Sequence, residues 1–474
     1  MILTANGDGH RQPIRWALVF TTLLAVGGCS NLAGPDYERP EVPEKTEWTN
    51  TGADRVSAAD TIRPDWWTNF QDPYLNELVD KAVADNIDLR ILAARVDKAG
   101  VDVSGAEADL LPRVSGTVAE EFQRATGTEI EQTTRVGTSL SWELDIWGKT
   151  RKGIAASAAE YNATEADWRA GYLTQVSEVA STYFRIRRFD EQIATQKKSE
   201  ESSRISLEIF ERQYGEGIVS SMKVARQRAE MINLGKQLLD LQRQRDLEEN
   251  RLATLLGIPA GNFNVPVAEL TDTVQPLTVP PGLPSDLLTR RPDIIAAEYR
   301  VLKSYDLLGK AKLDKLPSFS LNGSGSMSAQ ALKSLLSNWS LALVPTLTFP
   351  LFDPAKDIAI KSSEVDVRIQ TEQYRKTILV AFQEVEDTLI NLESRREQSE
   401  VLEERLEELR LVKLSVDAQL AEGLISQLDV LESERSLLEA EQERLLLHQQ
   451  MLADSVRLYK ALGGGWPREV VVQQ

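Results

Sequence analysis

The 474-residue chain has one cysteine and two histidines. A single Cys excludes internal disulfides and Cys-based zinc sites, and neither a metal nor a cofactor is expected. A Ser–His–Asp apparatus would have to use His10 or His448. His10 lies in an N-terminal targeting segment, and His448 sits in a Leu/Glu/Gln-rich helix, where a solvated face is the ordinary role. No nucleophile–base pair appears, so an enzyme is not expected. Basic charge is also short. There are 54 Lys+Arg against 72 Asp+Glu, a formal net charge of −18, which repels phosphate and excludes nucleic acid as a partner. Only 27 Gly and 19 Pro punctuate the chain, so long elements are expected. Past the N-terminal segment no apolar run reaches the roughly 20 residues of a membrane helix, so any crossing must be by β-barrel.

The N-terminus reads as an address. Arg11 and Arg15 precede the apolar run Trp16 to Val26, which ends in Gly27, Gly28 and Cys29. A basic region, a short apolar stretch and small residues at the cut describe a secretory signal over residues 1–28. Val26-Gly27-Gly28-Cys29 resembles a bacterial lipobox, which implies that Cys29 is lipidated and becomes the first mature residue. Ser30 in place of Asp implies transfer to the outer membrane. Acyl chains contribute about 0.8 kcal/mol per buried CH₂, enough to tether a protein without making it span.

The rest of the chain is one unit written twice. Tyr172, Val176, Val179, Tyr183 and Ile186 recur 206 residues on as Ile378, Phe382, Val385, Leu389 and Leu392. At the same offset Gly217 maps to Gly423, Val224 to Val430, and Leu256-Gly257 to Leu462-Gly463. Leu111-Pro112 matches Leu316-Pro317 one residue out of step. The boundaries drawn from this are an extended segment over 29–74, a first repeat over 75–263, a linker over 264–283, a second repeat over 284–465 and a tail over 466–474.

Each copy reads helix, strand, strand, long helix, tight turn, helix. In the first copy a helix over 84–110 ends at Leu111-Pro112. Strands follow over 113–124 and 134–145, the second alternating Val136, Thr138, Leu140, Trp142 and Leu144 against polar neighbours. In the second copy Phe319 and Leu321, then Trp339, Leu341, Leu343, Leu347 and Phe349, alternate likewise. These lengths suit tilted membrane strands, and equally a soluble sheet with one wet face. Pro345 is expected to mark a bend or bulge. The helical stretches 154–214 and 356–421 hold about 61 and 66 residues, roughly 90–100 Å each. Their flanking helices, 84–110 with 222–256 and 285–315 with 428–462, add to nearly the same lengths. Two short helices stacked end to end beside one long helix, paired as coiled coils, satisfy this arithmetic.

Four such strands cannot close a barrel, since about eight is the smallest practical number. The chain therefore needs further copies of itself. Several segments resemble the TolC-like outer-membrane efflux proteins, in the lipoprotein branch that serves tripartite resistance-nodulation-division (RND) pumps. They are Gly34-Pro35-Asp36-Tyr37, Trp66-Trp67 with Phe70 and Asp72-Pro73, and Leu140 to Gly148. Arg290-Arg291-Pro292-Asp293 and Pro350-Leu351-Phe352-Asp353 complete the set. The resemblance implies a mainly α fold with a membrane β-barrel portion, assembled as a homotrimer of twelve strands and a periplasmic α-barrel. It implies a periplasmic adaptor (a membrane fusion protein) and an inner-membrane RND transporter as partners. The expected location is the outer membrane, with a lipid anchor.

Two turns carry the expected function. Gly217-Ile218 and Gly423-Leu424 suit left-handed helix caps, with Ser220 or Ser221 and Ser426 as the next N-caps. They also resemble the family's adaptor-contact tips. Asp429, with Glu422 and Glu432 behind it, is the candidate acidic ring of a periplasmic aperture. Lys223 stands where the first copy would carry Asp429, so a Lys223–Asp429 contact between hairpins is a candidate latch. A duct for type I protein secretion and a lipid-anchored coiled-coil scaffold remain open at this point.

Overall fold

The computed structural model describes residues 37–43, 45–49, 64–124, 126–127, 130–268, 284–329 and 339–466. Its elements are α1 (Pro73–Asp85), α2 (Ile87–Ala108), β1 (Arg113–Gln123), β2 (Glu131–Leu144), α3 (Lys149–Gly215) and α4 (Ser221–Leu255). They continue with α5 (Leu287–Arg290), α6 (Pro292–Leu313), β3 (Ser318–Ala329), β4 (Trp339–Thr348), α7 (Pro354–Ala421) and α8 (Gln427–Ala461). The expected order thus occurs twice, with long helices of 67 and 68 residues. No helix among the described residues is long and apolar enough to cross a membrane.

Contacts divide the described chain into two compact units. The first takes in residues up to Pro40, Ala99–Tyr161 and Tyr299–Glu372; the second takes in Glu41–Lys98, Asn162–Glu298 and Gln373–Gln474.

In the first unit the four strands form one antiparallel sheet in the order β1-β2-β3-β4. The central pair β2–β3 joins the two repeats, so β1 and β4 are its outer strands. Each strand hairpin returns to a helix through a capped junction. Asp145 accepts from the backbone N–H groups of Thr150 and Arg151 at 3.0 and 2.9 Å, fixing the start of α3. Burial opposes its ionisation, but those N–H groups and the Arg151 guanidinium outweigh it and lower its pKa. Asp353 does the same for α7, accepting from Ala355 N–H at 3.1 Å. Trp147 Nε1 donates to Pro317 O, just ahead of β3, at 2.6 Å, and Trp142 Nε1 to Leu110 O, just past α2, at 2.8 Å. Pro345 makes no bulge. It faces Leu321 in an unbroken register from Ser318↔Thr348 to Met327↔Trp339. Among the described residues only one side of β4 is paired, and such an outer strand is where Pro is tolerated.

In the second unit, the ends of the short helices meet in pairs. The flanking helix expected over 84–110 is broken at Asn86, and the one expected over 285–315 is broken at Arg291. Asn86 Nδ2 donates to Leu255 O, the last carbonyl of α4, at 2.7 Å, while its Oδ1 accepts from Leu89 N–H. Arg291 Nη1 donates to Ala461 O, the last carbonyl of α8, at 2.9 Å. Helix ends leave carbonyls unsatisfied, and here a residue between two helices supplies the donor. Gly257 and Gly463 follow those ends at φ of 71° and 78°. Their amides and the next close Schellman caps, Ile258 N→Ala253 O at 2.9 Å and Gly464 N→Tyr459 O at 2.8 Å.

Aromatic residues ahead of α1 anchor the chain. Trp66 is fully buried and stacks on Tyr459 at 5.0 Å, and Phe70 meets Phe184 edge-on at 5.0 Å. Asp72 caps α1 through Tyr74 and Leu75 N–H. The preceding segment docks on α7, where Trp48 lies edge-on to Phe382 at 6.1 Å and Lys45 pairs with Glu386 at 2.8 Å.

Candidate functional sites: the hairpin tips and the sheet

Both tips fold as expected and for the same reason. At the end of α3, Gly217 has φ 74°, with Gly217 N→Tyr214 O at 3.0 Å and Ile218 N→Gln213 O at 2.8 Å. At the end of α7, Gly423 has φ 73°, with Gly423 N→Leu420 O at 3.0 Å and Leu424 N→Gln419 O at 2.9 Å. A Cβ at either glycine would meet nothing within 4 Å, so the left-handed backbone alone requires glycine within the chain. Ile218 and Leu424 stand 66% and 69% exposed, apolar side chains held out by rigid caps.

The tips differ in what lies behind them. The first has its own core of Leu207, Phe210 and Val224, packed with Val219 and Met231. Lys223 places its ammonium 4.3 Å from the Phe210 ring centre. In the second, the hairpin core of Leu402, Leu406, Ala440 and Leu447 lies further from the turn, and Leu411, Leu414 and Leu428 are exposed. Lys413 bridges α7 to α8 through Glu434 at 3.2 Å.

Asp429 closes a capping arrangement with Ser426. Its Oδ2 accepts from Ser426 N–H at 2.9 Å and from Ser426 Oγ at 2.7 Å. Those bonds hold its pKa below the ordinary carboxylate value. Lys223 and Asp429 are thus each engaged within their own hairpin. Glu422 and Glu432 are exposed. Cys29 lies outside the described residues. Sequence reasoning missed Phe210 as the seat of Lys223. It also read Asp429 as a pore charge and latch partner and not as a cap, although Ser-x-x-Asp is an N-terminal capping signal.

In the other unit, the sheet has one apolar face. Register puts Val118, Val136, Met327 and Trp339 in one row, Thr138 and Leu341 in the next, then Val114, Leu140 and Leu343. Trp142 with Leu321, and Leu144 with Phe319 and Leu347, complete five rows, about 27 Å along the strands. The opposite face carries Ser115–Ser139 and Ser326–Ser340 hydroxyl pairs, both at 2.7 Å, and an Arg135–Glu121 ion pair at 3.0 Å. Gly325 leaves room for Thr138, whose Oγ1 would lie 2.9 Å from an added Cβ.

The sequence pattern of the family described as outer membrane efflux protein matches residues 78–258 and again 283–464. The chain belongs to that family. Its two matches coincide with the two structural copies. The chain is 27% identical to "Probable outer membrane lipoprotein SilC" of Salmonella typhimurium, over 95% of this chain and 98% of that protein. It is 29% identical to "Toluene efflux pump outer membrane protein TtgF" of Pseudomonas putida, over 94% of this chain and 95% of that protein. Among solved structures, a crystal structure of CusC superposes with a TM-score of 0.81 at 26% identity, over 91% of this chain and 99% of that one. For this outer membrane efflux protein, the apolar sheet face is the membrane face. The soluble-sheet reading falls away.

Proposed function

We propose that this chain is the outer-membrane channel of a tripartite efflux pump, a homotrimer that conducts small molecules passively across the periplasm and outer membrane. The observation that carries the reading is a membrane sheet of four strands whose two outer edges are unpaired among the described residues, in a chain of the efflux family. Lipid offers no partner for backbone N–H and C=O groups, so open edges must be closed by other copies. Three copies give twelve strands, wide enough for a lumen. An inner-membrane RND transporter supplies the energy, and a periplasmic adaptor meets the tips at Gly217, Ile218, Gly423 and Leu424. Cys29 carries the lipid anchor. Cargo is selected upstream, so cations and toluene, named for CusC and TtgF, belong to those systems. Conductance by the purified protein in planar bilayers tests the reading; a protein that never opens a pore is a scaffold.

Asp429, Glu422 and Lys223 are the aperture residues in this reading. An inter-hairpin Lys223–Asp429 contact would replace the Phe210 and Ser426 contacts each makes within its hairpin. Single-channel conductance of Asp429→Ala with Lys223→Ala is expected to rise. Unchanged conductance discards the latch.

A further inference from the structure

The two tips share a backbone and differ in charge. Each closes on a left-handed glycine with nearly equal φ, and each continues into a 35-residue helix, α4 or α8. At the 206-residue offset the positions after the turns compare one for one. Lys223 stands opposite Asp429, Arg226 opposite Glu432, and Arg228 opposite Glu434. All three cations of the first copy are anions in the second. From Gly217 to Ala229 the first tip holds no acid, and from Leu414 to Glu434 the second holds no base. Glu216 and Glu422, one at each turn, are the same in both copies and do not distinguish them. The fold is not the cause of the difference, since one scaffold accepts both signs.

The first tip carries its charge against the preference of its own helix. A helix N-terminus favours acids, and the first turn of α8 has Asp429 there. The first turn of α4 has no acid and holds Lys223 instead. A residue that local physics disfavours, on a scaffold that accepts its opposite, points to a demand from outside the hairpin.

Four of the six groups are engaged within their hairpins. Lys223 lies on Phe210, Asp429 accepts from Ser426, Arg228 pairs with Glu211 at 2.6 Å, and Glu434 with Lys413 at 3.2 Å. Arg226 and Glu432 are exposed and form no ion pair among the described residues. Near each of them the turn holds out one apolar side chain, Ile218 at the first tip and Leu424 at the second. An exposed apolar residue beside unpaired charge of one sign suits contact with a chosen partner. Burial of the apolar group supplies affinity, and the charge decides which surface fits.

We propose that the two tips dock on two unlike surfaces of the periplasmic adaptor, the first on a surface bearing carboxylates, read by Arg226, and the second on a surface bearing lysine or arginine, read by Glu432. This rests on the adaptor reading of the tips and deepens it by naming the chemistry of the partner. The tips are then not interchangeable. Three copies present them alternately, so an adaptor assembly displaced by one tip around the ring meets like charge at every contact, which suppresses that setting.

The test is made in cells that carry the full chain with its own adaptor and transporter. A photoreactive p-benzoylphenylalanine replaces Ile218 in one strain and Leu424 in another, and the adducts are mapped by mass spectrometry of their peptides. The two adducts are expected at different adaptor positions, the first in a segment bearing Asp and Glu, the second in one bearing Lys and Arg. Arg226→Glu is expected to cut the Ile218 adduct several-fold and Arg226→Lys to keep it, while Glu432→Arg should cut the Leu424 adduct. Both side chains are exposed and unpaired, so the amount of protein recovered from the membrane should not change. Arg226→Glu together with Glu432→Arg separates docking from pairing between neighbouring tips. Docking predicts that both adducts stay low, whereas mutual pairing predicts their recovery, which overturns the proposal. One adaptor segment labelled from both positions also overturns it and leaves the adaptor contact standing. No adaptor adduct from either position removes both.

Discussion

The side-chain amide of Asn86 holds the last carbonyl of α4, Leu255 O, at 2.7 Å, and in the second copy Arg291 holds the last carbonyl of α8, Ala461 O, at 2.9 Å. One joint is neutral and the other charged. Arg291 also pairs with Asp293 and Glu384, both at 2.7 Å, with its own side chain only 7% exposed. Burial works against its charge, but the two carboxylates outweigh that and raise its pKa. Arg291→Ala is expected to cost about 2–3 kcal/mol, since it removes charge-assisted hydrogen bonds to a buried carbonyl and to two half-exposed carboxylates. Asn86→Ala is expected to cost about 1–2 kcal/mol. Urea unfolding followed by circular dichroism in detergent checks the order, and equal losses would mean that Arg291's carboxylate partners add nothing.

Two glycines with nearly equal φ should respond differently to alanine. At Gly217 an added Cβ meets nothing, so Gly217→Ala loses only about 1–2 kcal/mol of left-handed backbone preference. At Gly257 the same Cβ would lie 2.6 Å from Asp85 O, a backbone atom with nowhere to move. Gly257→Ala should therefore melt well below Gly217→Ala. A Gly217→Ala protein that is stable yet fails in efflux would show that a partner approaches this tip closely.

The cap at the second tip should be sensitive to acid. Asp429 is stabilised as the carboxylate, so its contribution is complete above the ordinary value of 3.8 and is lost as pH falls through its lowered pKa. Amide exchange over residues 427–430 is expected to accelerate below about pH 4, relative to residues 221–224, where Lys223 replaces the acid. Asp429→Asn should show the faster exchange at neutral pH as well. A constant ratio between the two tips across this range would contradict the cap.

The sheet predicts opposite outcomes for neighbouring positions. Leu341 sits one row from the middle of the apolar face, where arginine costs up to about 2–4 kcal/mol in lipid. Ser340 lies on the opposite face, bonded to Ser326. Leu341→Arg should reduce the amount of protein recovered in the outer membrane, and Ser340→Arg should not. Equal recovery would mean that the faces are assigned wrongly.

Helix ends at the tips were legible from local signals, whereas the start of the first long helix, capped by Asp145, lies five residues ahead of the expected 154. The helix expected over 154–214 spans Lys149–Gly215, and the one over 428–462 spans Gln427–Ala461. Gly217 and Gly423 stop the long helices through backbone conformation alone, which a sequence displays. The break at Asn86 was not legible, because its cause is a carbonyl 169 residues away. Beyond Leu321, β3 was only partly legible. Gly323 and Gly325 blank its apolar face, and Leu140, Leu341 and Leu343 reach over the bare positions. At the tips, the glycines were readable and the stacking of Lys223 on Phe210 was not, since it depends on how α3 and α4 pair.

The offset between the copies records what the architecture has tolerated since duplication. It is 205 residues from Asn86 to Arg291 and from Leu111 to Leu316, and 206 from Tyr172 to Ile378 and from Leu255 to Ala461. A net difference of one residue between the copies therefore falls between Pro112 and Tyr172 in the first, a stretch that includes the strand hairpin. A residue added inside a helix swings every later side chain by about 100° and takes the apolar seam off its partner. A turn between strands absorbs the same insertion locally. Length drift has been filtered by geometry, and the surviving change lies in the one stretch of each copy that contains such a turn.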